Sequence, residues 1–118
     1  MYKRQAHPGL SVLKPIQPDS REWRPYMERH RQNLTHRYHN GGLWPMIGGF
    51  WVLALAGAGR KPAARQVLAR LAQANAAGNW RFTEWFDGAS GAAEGMAGQS
   101  WSAALFLLAS EGLDQKIF

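Results

Sequence analysis

Between residues 45 and 112 apolar positions recur in two different ways, and the contrast predicts a layered helical unit. Met46 to Ala56 is apolar nearly all round, opens behind Trp44-Pro45 and runs out at Gly57 and Gly59. Proline suits a first helical position, where an N–H has no partner anyway, and glycine past the last turn tolerates a left-handed cap, so the run predicts a helix. With no polar face, that helix must be buried on most sides. From Pro62 to about Ala77, Ala63, Val67, Leu68, Leu71 and Ala72 form one stripe, with Lys61, Arg65, Arg70 and Gln73 outside it. This spacing predicts an amphipathic helix with one face in solvent. A third, mostly apolar helix is expected from about Ala97 to Ser110, stopped near Gly112, with Trp101, Ala104, Leu105 and Leu108 inward. Apolar helix, short turn, amphipathic helix, long loop, apolar helix is the rhythm of two concentric helical layers.

The flanking segments carry weaker patterns. Pro8, Pro15, Pro18 and Gly9 without an apolar period predict an extended lead-in over residues 1–20. Met1 to Gln5 fit no pattern that follows and are set aside as candidate non-native sequence. Residues 20–32 are expected to form a short helix capped by Ser20, with Pro25 limiting it to an early-turn or kinked form. Residues 78–96 make a connection longer than compact helix pairs use, and Trp80, Phe82, Trp85 and Phe86 within it argue for order and function.

Helices that alternate up, down, up leave the first and third parallel. The loops entering them, residues 38–45 and 82–88, then share one face, which gathers His39, Asn40 and Trp44 with Glu84 and Trp85, and with Gln99 and Trp101 at the third helix start. Aromatic rings stack on sugars, an amide and an imidazole bond hydroxyls, and a carboxylate moves protons, so this face reads as a carbohydrate site. Glu84 has two readings: apolar neighbours tune it as a general acid or base, or it pairs with Arg81. Asp87 before Gly88 is a turn signal. His39-Asn40-Gly41-Gly42 is a turn that binds substrate, ligates metal or simply precedes a helix. The metal reading is weak because His30, His36 and His39 show no His-x3-His or HExxH spacing with a carboxylate in register. For Gln99 and Trp101 the competing reading is capping and core packing.

Composition bounds these readings. A chain of 118 residues buries only about 65–70% of its unfolded surface, which suits one small domain or part of a larger one. The absence of cysteine removes disulfides and thiolate chemistry, no run reaches the roughly 18 apolar residues of a membrane span, and no signal peptide is visible, so the expected compartment is the cytoplasm. No cofactor is implied. The net charge of +6 is uneven: residues 1–38 hold eight Lys/Arg and three Asp/Glu (+5), and residues 39–118 hold six and five (+1). Arg21, Arg24, Arg29, Arg31 and Arg37 among Trp23, Tyr26 and Tyr38 keep open a second class of function, a small basic helical module that meets nucleic acid or an acidic partner. Asp19, Glu22 and Glu28 within reach of these arginines favour local ion pairs instead, so nucleic acid is not the expected partner.

The motifs Tyr38-His39-Asn40-Gly41-Gly42-Leu43-Trp44-Pro45, Phe82-Thr83-Glu84-Trp85-Phe86-Asp87-Gly88 and Gln99-Ser100-Trp101 resemble, in order and spacing, the C-terminal portion of glycoside hydrolase family 100, the alkaline and neutral invertases. The resemblance covers roughly residues 21–112. It implies an all-α fold, an incomplete (α/α)6 barrel of about three main helices with a long loop before the last, in which residues 21–118 are the C-terminal part of the catalytic domain. It also implies inverting hydrolysis of an α-glucosidic bond, most simply that of sucrose, with Glu84 as general base and an upstream aspartate as acid. Neither Asp19 nor Asp87 matches that acid, so the chain alone is expected to be inactive. The Phe82-Thr83-Glu84-Trp85-Phe86 segment lacks the proline and tyrosines of plant-type invertases. Trehalases and debranching-type α-glucosidases, which share the barrel, are therefore the alternative. Hairpins without their barrel neighbours expose apolar flanks, so self-association or poor folding of the isolated chain is expected, and a homo-oligomeric parent enzyme is allowed.

Overall fold

In the computed structural model the described residues are 14–114. The expectations for Met1 to Gln5, and for the lead-in as far as residue 13, lie outside them. The elements are two single-turn 3₁₀ segments, Pro25–Met27 and Arg29–Arg31, helices α1 (Pro45–Gly57) and α2 (Lys61–Ala77), strands β1 (Trp85–Phe86) and β2 (Ala93–Glu94), and helix α3 (Ser100–Asp114). The fold class is all-α, and no helix among the described residues is long and apolar enough to cross a membrane.

Helix ends follow the proline and glycine punctuation. Trp44 is extended, Pro45 begins α1, and the Gly48 amide closes the first turn on the Trp44 carbonyl at 3.0 Å. At the other end Gly59 takes φ +74° while the Gly59 amide bonds Ala56 and the Arg60 amide bonds Leu55, the two crossed bonds of a Schellman cap. The end of α2 repeats the device with Asn79 at φ +55° and amides of Asn79 and Trp80 bonded to Ala76 and Asn75. Each cap satisfies end carbonyls that would otherwise lack donors and turns the chain back on itself.

The core joins Val52 and Leu55 of α1, Ala64 and Leu71 of α2, and Ala109 and Leu113 of α3, with Phe106, Val67 and Leu68 packed against them. Direction follows from which ends meet. Gly49 near the start of α1 lies on Leu105 near the start of α3, and Arg65 early in α2 reaches Asp114 at the end of α3, at 3.7 Å. Thus α1 and α3 run parallel and α2 runs against both, as the hairpin rule requires.

Two expectations need correction. Residues 20–32 form no continuous helix, only the two 3₁₀ turns: His30 and Arg31 sit at φ +56° and +55°, which ends the second, and Ser20 Oγ, which accepts the Glu22 amide at 3.1 Å and bonds the Glu22 carboxylate, caps neither turn. Helix α3 begins three residues later than expected, passes Gly112, and buries a different face. Ser102, Ala109 and Leu113 are buried, Leu105 is half-buried, and Trp101, Ala104 and Leu108 face solvent. The cause is close approach: a Cβ on Gly49 would lie 2.8 Å from the Leu105 carbonyl oxygen, so small residues, not the bulkiest stripe, set the contact. The long connection expected between α2 and α3 is present and ordered, and within it a short two-stranded hairpin sets Trp85 opposite Glu94 and Phe86 opposite Ala93. The aromatic pair Trp85–Phe86 suits a strand, and Asp87-Gly88 turns the chain. On the outside, Phe50 and Trp51 of α1 and Trp101, Leu107 and Leu108 of α3 leave more than a third of their surface in solvent.

Two alanine substitutions on α1 should act in opposite directions. Glycine to alanine gains about 0.5–1 kcal/mol in a helix with free space. Gly57 has nothing within 4 Å of a built Cβ, so Gly57→Ala should be neutral or raise the urea midpoint. Gly49→Ala must part α1 from α3, and overpacking of about 1–3 kcal/mol outweighs the helical gain, so its midpoint should fall.

Candidate active site

The loop before α1 is a tight turn closed on itself. The His36 amide donates to the Asn40 carbonyl at 2.8 Å, the Asn40 amide to Arg37 at 2.8 Å, and the Gly42 amide to Tyr38 at 2.9 Å. His36 and Tyr38 take left-handed φ of +68° and +42°, which costs about 1–3 kcal/mol each for residues with a Cβ and persists only where surroundings enforce it. Gly41 and Gly88 supply the room. The Gly88 amide sits on the His36 carbonyl at 2.8 Å, and a Cβ on Gly88 would run into the Gly41 carbonyl oxygen.

Leu43 and Phe86 join the two loops by exchanging both backbone bonds, each 2.8 Å. Leu43 is completely buried and Phe86 nearly so, which removes competing water from the pair. The face expected from parallel helices therefore exists: the turn before α1 and the hairpin before α3 are hydrogen-bonded at one end of the bundle.

Rings gather on this junction around Tyr38. Its centroid lies 4.1 Å from His39, 4.8 Å from Trp44 and 5.9 Å from Trp85. His39 and Trp44 stack nearly parallel, 9° apart at 5.3 Å, and the His39 side chain is exposed. The Trp44 indole N–H donates to the Tyr38 carbonyl at 3.2 Å, so the ring is anchored by its polar edge. Trp85 is 4% exposed, lies under the Arg37 guanidinium and packs on Gly42, which makes it the floor of the cluster more than a free platform. Arg37 also reaches Glu94 at 3.6 Å.

Asn40 is placed differently from the other expected sugar contacts. Its side-chain amide donates to the Ile16 carbonyl at 2.9 Å and to the Asn33 carbonyl at 3.2 Å, and its oxygen accepts the Ile16 amide at 2.7 Å. These bonds use its donors to hold the lead-in against the turn. His39 and Asn40 also line a cleft of about 340 Å³ with Ile16, Tyr26, Met27 and Asn33.

Glu84 is half-buried on the outgoing arm of the hairpin. Its amide donates to the Met96 carbonyl at 2.8 Å, and its Oε2 accepts the Met96 amide at 3.1 Å. Among the described residues it forms no ion pair with Arg81. Asp87 makes the turn: Oδ1 accepts the amides of Ala89 at 2.9 Å and Ser90 at 2.8 Å and the Ser90 hydroxyl at 3.1 Å. Partial burial pushes its pKa up, but those donors, helped by the charge of Arg37, outweigh burial and hold it below its ordinary value.

The structure brings Gln99 to the hairpin, with its amide on the Phe82 carbonyl at 3.0 Å and its own carbonyl capping Ala103 at 3.2 Å. Trp101 stands 44% exposed in the first turn of α3 and makes no ring contact with the Tyr38 cluster. His30, His36 and His39 do not converge, and among the described residues no three His, Cys, Asp or Glu are placed to hold a metal. Sequence reasoning missed Tyr38 as the hub of the rings and Met96 as the partner of Glu84. Tyr38 opens the first motif and was visible for that reason; a backbone partner twelve residues away leaves no mark in residue types.

The family model described as alkaline and neutral invertase matches residues 10–116. No curated protein matches the chain.

The Asp87 turn should leave a pH signature. A carboxyl whose folded pKa is depressed adds stability above its unfolded value, near 3.8, and loses it as pH falls through the folded value. Asp87→Ala should cost about 1–2 kcal/mol at pH 7. In urea titrations the gap between wild type and Asp87→Ala should narrow steadily from pH 5 to about pH 2. A gap that stays constant or widens on acidification would show that the charge is not what the turn uses.

Proposed function

Because the chain belongs to the alkaline and neutral invertase family of glycoside hydrolases, we propose that it carries the water-activating side of an inverting α-glucosidase site, with Glu84 as general base. The observation that carries this reading is the position of Glu84: a half-buried carboxylate with one oxygen held by a backbone amide, on a hairpin bonded to a turn that presents stacked rings. Inversion requires a base that deprotonates water on the face of the sugar opposite the leaving group, with its partner acid about 6.5–9.5 Å away. Oε1 accepts no hydrogen bond from the described residues, so it is the oxygen that takes the proton from water. The His39–Trp44 stack and Trp101 offer surfaces for sugar rings, and Gln99 supplies an amide at the same end.

The partner acid lies outside this chain. Asp87 spends one carboxylate oxygen on three donors in its own turn, and Asp19 is exposed in the lead-in, so neither opposes Glu84 across a sugar. The 118-residue chain by itself is therefore inactive, and hydrolysis belongs to the full-length protein that carries this segment. Sucrose is the substrate the family favours. Thr83, Trp85 and Phe86, where plant-type enzymes carry a proline and two tyrosines, make trehalose and branched α-glucans the alternative. A cytoplasmic setting, expected from the sequence, belongs to the same proposal.

The test is hydrolysis of sucrose and trehalose by the full-length protein with the anomer of released glucose followed by NMR. The first glucose released should be β, and Glu84→Gln should lower kcat by about 10²–10⁴. Initial release of α-glucose, or a Glu84→Gln variant that retains full turnover, would reject the assignment.

A further inference from the structure

We infer that Gly95 and the Met96 amide form a β-bulge whose role is to position the Glu84 carboxylate; the inference rests on the reading of Glu84 as the base. The register shows the bulge. Trp85 pairs with Glu94 and Phe86 with Ala93, so a regular ladder would set Glu84 opposite Gly95. Instead the Glu84 amide bonds the Met96 carbonyl at 2.8 Å, which leaves Gly95 and Met96 together opposite one residue. Gly95 has φ +73°, the left-handed conformation that opens such a bulge.

The extra residue changes what the Met96 amide meets. In a ladder continued regularly from the Asp87–Ala92 bond, Met96 would face Thr83 and donate to its main-chain carbonyl; here it donates to Glu84 Oε2 at 3.1 Å. A side-chain oxygen thus takes the place of a backbone acceptor in the ladder, and the carboxylate is aligned by the sheet itself. Thr83 locks the same turn of chain through its hydroxyl on the Glu94 carbonyl at 2.7 Å. The Met96 side chain is 68% exposed, so its contribution comes from the backbone.

Gly95 also fills a space that admits no side chain. A Cβ there would lie 2.6 Å from Glu84 Oε2, 2.9 Å from Glu84 Cβ and 2.8 Å from Trp85 Cδ1. Trp85 is buried beneath Arg37 and against Gly42 and cannot yield, so the carboxylate must. An added methyl therefore moves the reacting oxygens while the rings that hold sugar stay in place. Displacement of a reacting group by about 1 Å costs on the order of 10²-fold in rate.

The experiment uses the full-length protein. Gly95→Ala should lower kcat by about 10²-fold with KM within about threefold. In a Glu84→Gln background the same change should have no further effect, because the methyl acts through the carboxylate it displaces. A Gly95→Ala kcat within twofold of wild type, or an equal loss in both backgrounds, would overturn the inference. An independent readout needs no new variant at Gly95: in ¹⁵N-methionine-labelled protein the Met96 amide resonance should move in Glu84→Gln by more than any other methionine amide, because that amide donates to the altered side chain. A Met96 amide unmoved by Glu84→Gln would also overturn the inference. If Glu84→Gln leaves turnover intact while the Met96 amide moves, the base assignment fails and the bulge stands as a purely structural contact, which overturns its positioning role.

Discussion

The candidate site hangs on two backbone hydrogen bonds between Leu43 and Phe86. They are the point at which the turn before α1 and the hairpin before α3 become one surface. Buried amide pairs are costly to break because neither partner can turn to water, and here both residues are almost free of solvent. The neighbouring contacts depend on the same closure. Gly88 seats on His36, Trp85 slides beneath Arg37 and against Gly42, and Tyr38 meets Trp44 and Trp85 only because the two segments are held in register. The left-handed residues His36 and Tyr38 store strain that this junction sustains.

The helices matter to the site chiefly by setting direction. Parallel α1 and α3 place both of their leading loops at one end, and the antiparallel α2 between them in sequence supplies most of the polar face. Ion pairs add little: Arg65 with Asp114 is exposed and 3.7 Å long, and such pairs are worth about 0–1 kcal/mol. Van der Waals contact at Gly49 and Leu105, with Ser102 and Ala109 buried along α3, is what fixes the angle from which α3 meets the hairpin. On the proposed reading, the hairpin carboxylate supplies what the family's chemistry calls for, a fixed acidic oxygen beside a surface for sugar.

How far the sequence revealed this depended on the kind of interaction. The spans of α1 and α2 were legible because Pro45, Gly59 and Pro62 mark conformations that few other residues adopt. The meeting of the two loops was legible too, since it follows from chain direction alone. The buried face of α3 was not, because a helix apolar on nearly all sides gives periodicity nothing to choose between; the choice was made by Gly49 across the interface. Residues 20–32 misled for the opposite reason: Ser20 and Pro25 are valid helix-start signals, but His30 and Arg31 turn left-handed and end the chain's helical path. Asn40 looked like a sugar ligand from residue type, while its amide is spent on Ile16 and Asn33, partners that no spacing rule points to. The bulge at Gly95 was equally silent, since a one-residue register shift is written in hydrogen bonds and not in composition.

The most direct test of this account is hydrogen exchange at the Leu43 and Phe86 amides in the full-length protein. If the junction organises the site, both amides should be protected as strongly as those of Val52 and Ala109 in the helical core, and should be lost from protection together. Rapid exchange at Leu43 and Phe86 while the core helices remain protected would mean that the two loops are not clamped, and the surface built on them would have to be abandoned.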